Sequence, residues 1–221
     1  MYINFWYPVI LSEELKDEPV KVRMLGQNFV TFRDSKGAPK TLSDTCIHRG
    51  GSLSGGVVRG DCIQCPYHGW RFDGEGECKR IPSLGKDAKI PKRTRIDAYP
   101  TEEKYGIVFA FLGDLEKSKR PPIMPIAELD DEEGWRANWL NYEAKINFER
   151  SIENGLDAAH NEFVHPTHGH EGEDDDYKVG DLKFVDNMFG PKKWGFGFWH
   201  AFKSPASKKE GPQIKEASDE R

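Results

Sequence analysis

The chain has 221 residues and a formal net charge of −5. A chain of this length holds one large domain or two of ordinary size, and its acidic balance argues against nucleic acid as the main partner, because phosphate binding requires a basic surface. The opening 1–7 lacks a basic leader and a cleavage site, no later apolar run approaches a membrane span, and four cysteines make no disulfide framework, so we expect a cytoplasmic protein without membrane contact.

The first half of the chain predicts a small, mostly antiparallel β domain. Residues 11–15 indicate a short turn of helix with Ser12 as its N-cap. Short β-type runs then recur between turn sequences such as Asp34-Ser35-Lys36-Gly37. The predicted strands are 21–25, 29–33, 41–44, 57–58, 62–64, 70–72, 95–99 and 106–112.

Two Cys-His pairs in this β domain predict a metal site. One pair is Cys46 and His48, and the other is Cys65 and His68. Two thiolates with two imidazoles suit a tetrahedral zinc ion or a 2Fe-2S cluster in which histidines replace two cysteines. Zinc sites usually keep two cysteines in one knuckle, so one cysteine and one histidine in each loop favour the cluster.

The residues around the pairs allow further expectations. The glycines are expected to let the backbone approach the sulfides and to offer them N–H groups; they are Gly50, Gly51, Gly55, Gly56 and Gly69. A zinc knuckle or redox pair at Cys62-x-x-Cys65 would need two more ligands or a thioredoxin-like context, and the sequence offers neither. Cys62 and Cys78 are then ordinary small residues of strands or turns.

A polar, proline-bearing connector at 116–122 marks a domain boundary, and a second motif follows it. An apolar stripe predicts a helix packed on a core; its members are Phe148, Ile152, Leu156, Ala159 and Phe163. Asn154, Asp157 and His160 step by three along another face. His165 lies five residues after His160, a rotation of about 140° in a straight helix, so both reach one metal only if the helix loosens or ends between Asn161 and Val164. Taken alone, these are histidines on the polar face of an amphipathic helix.

The two motifs together resemble the Rieske non-haem iron oxygenases, the family that includes the aromatic-ring-hydroxylating dioxygenases. Cys46-x-His48-Arg49-Gly50 and Cys65-Pro66-Tyr67-His68-Gly69-Trp70 resemble the family's Rieske motif, and 153–165 resembles its mononuclear-iron motif. The resemblance implies that the Cys-His pairs hold a Rieske 2Fe-2S cluster. It implies that His160 and His165 are two of the three ligands of a mononuclear Fe(II), with Asn154 near the iron. Asp157 would bridge an iron-ligating histidine and a cluster histidine of a neighbouring subunit.

The resemblance also implies the fold and the function. The fold class is α+β, with a Rieske domain at 1–115 and the N-terminal portion of a helix-and-sheet catalytic domain at 116–221. Electrons from NAD(P)H would pass through a reductase, in some systems through a ferredoxin, to the cluster and then to the iron of an adjacent subunit. There O2 would be activated to hydroxylate, dihydroxylate or demethylate an organic, often aromatic, substrate. The family forms ring-shaped oligomers, commonly trimers.

The chain departs from the family where the third iron ligand, a downstream carboxylate, is expected. The acidic run 171–176 indicates a solvated loop, and His168 and His170 are weaker alternative ligands. Alternating aromatics at 193–200 predict a strand, and the polar tail after Phe202 predicts disorder. We therefore expect a catalytic domain that is truncated, with poor solubility or little mononuclear iron.

Two rival functions remain from the sequence. One is a Rieske-type electron carrier without oxygenase chemistry, which would not need Asp157, His160 and His165 at the family's spacing. The other is a zinc-stabilised binding module, which would be colourless and would give no EPR signal on reduction.

Overall fold

The computed structural model describes residues 3–130, 134–165, 183–185 and 197–199. It divides into two compact units. The first comprises the described residues of Met1–Ile123 and Asp131–Trp135, and the second those of Met124–Asp130 and Arg136–Arg221. Among the described residues, no helix is both long and apolar enough to cross a membrane.

The first unit consists of short antiparallel strands. These are β1 (Phe5–Leu11), β2 (Val20–Met24), β3 (Gln27–Arg33), β4 (Pro39–Ser43), β5 (Val57–Arg59), β6 (Cys62–Gln64), β7 (Arg71–Asp73), β8 (Cys78–Arg80), β9 (Ala98–Tyr99), β10 (Thr101–Lys104) and β11 (Ile107–Leu112). They form three sheets with the orders β1-β11-β10, β2-β3-β4-β9 and β5-β6-β7-β8. The strand pairs of these three sheets are antiparallel, which confirms the predicted β-rich, α+β class.

The main hydrophobic core joins the second and third sheets. Phe32 and Leu42 from the second sheet and Ile63 and Phe72 from the third are completely buried in one cluster. The register places Ile63 directly opposite Phe72, so these two side chains point to the same face of their sheet. The loops that follow β4 and β6 therefore start from the best-packed part of the unit.

Several predicted strands are confirmed, whereas one predicted helical turn is wrong and three strands were not predicted. The predicted helical turn at 11–15 is wrong: β1 ends at Leu11, and one hydrogen bond from the Glu14 N–H to the Leu11 carbonyl closes a turn without a helix. The strand β1 was not predicted because its apolar residues pair with β11, about a hundred residues away, and local sequence carries no sign of that partner. Strands β8 and β10 pair with their sequence neighbours β7 and β11, and they were missed because their sequences are mainly polar and short.

The second unit has three short helices and a strand pair among its described residues. They are α1 (Ala127–Asp130), α2 (Phe148–Leu156), α3 (Asn161–Val164), β12 (Lys183–Val185) and β13 (Gly197–Trp199). β12 pairs antiparallel with β13, which confirms a strand for the described part of 193–200. His168, His170, the run 171–176 and the tail after Phe202 lie outside the described residues.

The apolar stripe at 148–163 differs from its prediction. Phe148, Ile152 and Leu156 of α2 and Phe163 of α3 are 65%, 56%, 47% and 60% exposed rather than packed on a core. The helix itself forms as expected, with Asn147 as its N-cap: the Asn147 side chain accepts a hydrogen bond from the Glu149 N–H at 2.9 Å.

Arg33 connects the segment that follows β1 to β10 by hydrogen bonds. Its guanidinium donates to the Leu15 and Ser12 carbonyls and to both carboxylate oxygens of Glu103, at 2.7 and 3.4 Å. The hydrogen bonds from Arg33 hold the pKa of Glu103 below its ordinary value. Ionised Glu103 is therefore favoured by the folded state.

We expect Glu103→Gln to flatten the acid limb of the stability profile. A depressed folded pKa contributes stability above the ordinary pKa of glutamate and loses it as the pH falls through the folded value, so the wild type should lose more unfolding free energy than the variant between about pH 6 and 3. Urea unfolding at several pH values measures this. Glu102→Gln, on the exposed neighbour in the same strand, should keep the wild-type slope; equal slopes in all three proteins would contradict the prediction.

Candidate metal centres

The first metal loop, residues 46–51, is closed by two backbone hydrogen bonds. The Cys46 N–H donates to the Gly51 carbonyl at 2.9 Å, and the Gly50 N–H donates to the Cys46 carbonyl at 2.9 Å. Gly50 has a φ of +69°, a conformation that costs other residues free energy. His48 thus lies at the tip of a tight turn whose two ends are fastened together.

The second metal loop, residues 65–70, repeats this arrangement. The Cys65 N–H donates to the Trp70 carbonyl at 2.8 Å, and the Gly69 N–H donates to the Cys65 carbonyl at 3.0 Å. Gly69 has a φ of +71°. The loops have the same span, but the histidine is two residues after the cysteine in the first and three in the second, so their imidazoles are presented differently.

The glycines act in a different way from the one predicted. The N–H groups of Gly50, Gly69 and Gly56 bond to carbonyls of their own loops, so they are not available to sulfides. Close approach does occur at Gly51, where a Cβ would lie 3.1 Å from the Cys65 Sγ. Gly51 therefore leaves room for the sulfur of the opposite loop.

The four predicted ligands come together as two pairs. Cys46 and Cys65 are each only 2% exposed and their thiols are in hydrogen-bond contact, and the rings of His48 and His68 lie 4.5 Å apart between centroids. All four cysteines are free thiols. Among the described residues, no three His, Cys, Asp or Glu side chains meet at one point. Sulfur thus lies with sulfur and imidazole with imidazole.

The electrostatics of the site fit a metal group. Burial raises the pKa of the Cys46 thiol to about 11, so at neutral pH it keeps its proton unless a cation takes the proton's place. Burial also lowers the pKa of His48, and His68 adds to the shift. The Nδ1 of His48 is buried and has no hydrogen-bond partner in the described part of the chain. A buried, unpartnered lone pair on neutral imidazole is a suitable metal ligand.

Sequence reasoning missed Asp44, which organises the base of the first loop. Its buried carboxylate accepts hydrogen bonds from the Ser52 Oγ at 2.6 Å and from the N–H and Oγ of Ser54 at 2.7 and 3.0 Å. Its carbonyl accepts from the Leu53 N–H at 3.0 Å. The sequence did contain a signal for this arrangement: an aspartate directly follows a strand, and a Ser-x-Ser segment begins eight residues later.

The second candidate centre lies where α2 ends. The helix ends at Leu156, with Asp157 as C-cap, and α3 starts at Asn161. α3 ends at Val164, and His165 is its C-cap in extended conformation, so the helix ends within the predicted 161–164. The rings of His160 and His165 lie 5.4 Å apart between centroids. The further break at 157–160 was not predicted.

Hydrogen bonds fix the protonation of His160. The Asn154 Nδ2 lies 3.0 Å from the His160 Nε2, and because an amide nitrogen only donates, Nε2 accepts. The His160 Nδ1 then carries the proton and donates to the Asp157 carbonyl. The Asp157 side chain is more exposed than the His160 side chain. Its Oδ1 accepts from the Ala159 N–H at 3.1 Å, and its Oδ2 lies 3.8 Å from the His160 Nδ1. Asp157 thus acts on His160 through its backbone.

Comparison with known proteins identifies relatives of this chain. Residues 5–100 match the family profile of the Rieske 2Fe-2S domain. The chain is 37% identical over 164 residues to 4beta-methylsterol monooxygenase of Methylococcus capsulatus, covering 73% of the chain and 44% of that protein. It is 29% identical over 206 residues to the 3-chlorobenzoate-3,4-dioxygenase oxygenase subunit of Comamonas testosteroni, covering 92% and 47%.

A solved structure gives a further likeness. Dicamba monooxygenase with non-heme iron and dicamba superposes with a TM-score of 0.51 at 29% identity, over 58% of this chain and 39% of that one. The chain spans less than half the length of these relatives. The resemblance to the Rieske oxygenases that the motifs indicated is confirmed.

Asp44→Ala should destabilise the first unit by about 2–4 kcal/mol, because three donors lose a charged acceptor in a buried place. Urea unfolding measures the loss. Asp61→Ala is the matched control: this exposed carboxylate accepts from the N–H and Oγ of Ser35 and should cost less. Equal losses for the two variants would show that Asp44 does not organise the loop.

Proposed function

We propose that this Rieske-domain protein passes electrons from a 2Fe-2S cluster to a mononuclear Fe(II) that activates O2 for attack on an organic substrate. In this proposal residues 1–115 form the Rieske domain, and 116–221 form the N-terminal portion of the mononuclear-iron domain. The observation that carries the proposal is the pairing of two buried thiols and two adjacent imidazoles at the tips of two matching loops.

The proposed cluster ligands have distinct tasks. Cys46 and Cys65, which are buried, would hold the inner iron, and His48 and His68 the outer iron, as Rieske ligation requires. His68 is exposed and His48 half-buried. The imidazole side is therefore the side from which an electron enters or leaves with the least protein in the way.

The proposed mononuclear site uses His160 and His165 as two of three ligands; the third would be the downstream carboxylate that the family uses. The Asn154 contact and the Asp157 carbonyl already set the tautomer in which the His160 Nε2 carries a lone pair. This lone pair accepts from Asn154, and a cation would take the place of that donor. Bound iron would supply open coordination positions where O2 is activated beside the substrate. The Asp157 carboxylate is exposed and would therefore be accessible to a cluster histidine of a neighbouring subunit.

The names of the relatives support a proposal for substrate and partners. These names refer to a methylsterol, a chlorobenzoate and dicamba, so we propose an organic substrate, aromatic in the majority of these cases, with O2 as co-substrate. One relative is named an oxygenase subunit, which supports an NAD(P)H-dependent reductase partner, with or without a ferredoxin. A homotrimer and a cytoplasmic location remain proposals, the latter based on the free thiols.

The rival function is an electron carrier without oxygenase chemistry. The hydrogen bonds that fix the His160 tautomer disfavour it, because a carrier has no use for a pre-set imidazole next to a second one. A zinc-stabilised module is disfavoured by the paired arrangement of the ligands, since structural zinc takes four ligands around one point.

Anaerobic reconstitution with iron and sulfide should give a red-brown protein with a Rieske-type EPR signal on reduction and two cluster irons per chain. Cys46→Ser and His68→Ala should lose the signal, because each removes a ligand. Cys62→Ser, a thiol in β6 outside the loops, is the control and should keep it. A colourless wild type, or an unchanged spectrum in Cys46→Ser, would refute the cluster.

Any iron that the wild type binds beyond the two cluster irons should be lost in both His160→Ala and His165→Ala, while the two cluster irons remain. Because only two of the three mononuclear ligands are named in this chain, we expect this extra iron to be less than one per chain. Iron and acid-labile sulfide analysis of the reconstituted chain measures it. His168→Ala serves as the control and should keep the wild-type iron content. No iron beyond the cluster in the wild type would favour the electron carrier, and loss of the extra iron in His168→Ala would place the ligands elsewhere.

A further inference from the structure

The two adjacent imidazoles are held in different ways. The His48 ring lies flat against the Trp70 indole, with centroids 4.5 Å apart and planes only 4° from parallel. The His68 ring has a tilted neighbour, Tyr67, at 3.9 Å and 34°, and Tyr67 is itself 63% exposed. One imidazole thus faces a partly buried indole that packs against the core, and the other faces an exposed tyrosine.

Trp70 is firmly anchored. Its carbonyl accepts the hydrogen bond from the Cys65 N–H that closes the second loop. Its partly buried side chain packs against the main core, as the side chain of Val58 also does. The second loop therefore supplies a fixed aromatic surface to the histidine of the first loop.

A flat stacked contact restricts the orientation of an imidazole. The ring can turn within its own plane, but tipping out of the plane would drive it into the indole or open a gap. The lone pair of Nδ1 lies in the ring plane, so fixing the plane fixes the directions from which a metal can be bound. The His48 Nδ1 is the atom that is buried without a partner in the described part of the chain.

We propose that Trp70 is a positioning residue for the cluster: its indole sets the plane of the His48 imidazole so that Nδ1 faces the iron. Tyr67 has no equivalent effect on His68. This inference rests on the proposed function, because it presupposes the cluster. It concerns geometry, so a flat ring at position 70 should suffice and apolar volume alone should not.

Four proteins test the proposal after anaerobic reconstitution: the wild type, Trp70→Phe, Trp70→Leu and Tyr67→Leu. Trp70→Leu should lose its visible absorbance to a chelator about tenfold faster than the wild type, because a neighbour that orients a ligand is removed. Its EPR lines should be broader than those of the wild type. Trp70→Phe should remain within about twofold of the wild type. Tyr67→Leu, the matched aromatic-to-leucine control, should behave as the wild type.

The outcomes separate the two claims. A Trp70→Leu protein with wild-type EPR and wild-type chelation rate overturns the role of Trp70, as does a Trp70→Phe protein that is as impaired as Trp70→Leu. A wild type without any cluster signal overturns the proposed function, and this inference with it.

A measurement on the wild type alone guards against variants that fail to fold. Pulsed EPR on the reduced protein resolves the nitrogen couplings of the two ligating imidazoles. A fixed ring gives one narrow range of coupling and a mobile ring a broad one, so one narrow and one broad coupling are expected. Equal widths would overturn the proposal.

Discussion

The structure of the first unit depends on the burial of two sulfur atoms. Cys46 and Cys65 are members of the main hydrophobic cluster, together with completely buried side chains such as Phe72. Each cysteine is also the residue at which a loop is fastened by its own N–H and carbonyl. Packing energy and backbone hydrogen bonding therefore act on the same two residues, and the loop tips are carried by the best-packed part of the protein.

Much of this site follows from the sequence because it is encoded locally. The Cys-x-His and Cys-x-x-His spacings, the glycines and the turn sequences are all short-range features. What could not be predicted depends on distant partners: β1 pairs with β11 across a hundred residues, and the Asp44 carboxylate becomes meaningful only when Ser52 and Ser54 fold over it. The use of the glycine N–H groups for loop closure was likewise invisible, because spacing does not say which acceptor a donor will find.

The second unit also combines features that the sequence predicts with features that it does not. The apolar period predicted the helix α2, and the Asn147 cap agrees with it. The helix end before His165 agrees with the sequence, but the earlier end of α2 at Leu156, directly after Gly155, was not predicted, because a single glycine in an apolar period does not by itself place a helix end. The exposed stripe of α2 could not be foreseen, since amphipathicity states that a face is apolar and not what covers it.

The two metal loops are interlocked rather than merely adjacent. Gly51 of the first loop makes room for the Cys65 sulfur of the second, and Trp70 of the second supports the His48 ring of the first. Neither loop can present its ligands correctly without the other. Core packing of Cys46 and Cys65 and the stacking of His48 therefore meet part of the free energy of ordering the ligands, whereas the exposed His68 has no such support from the core.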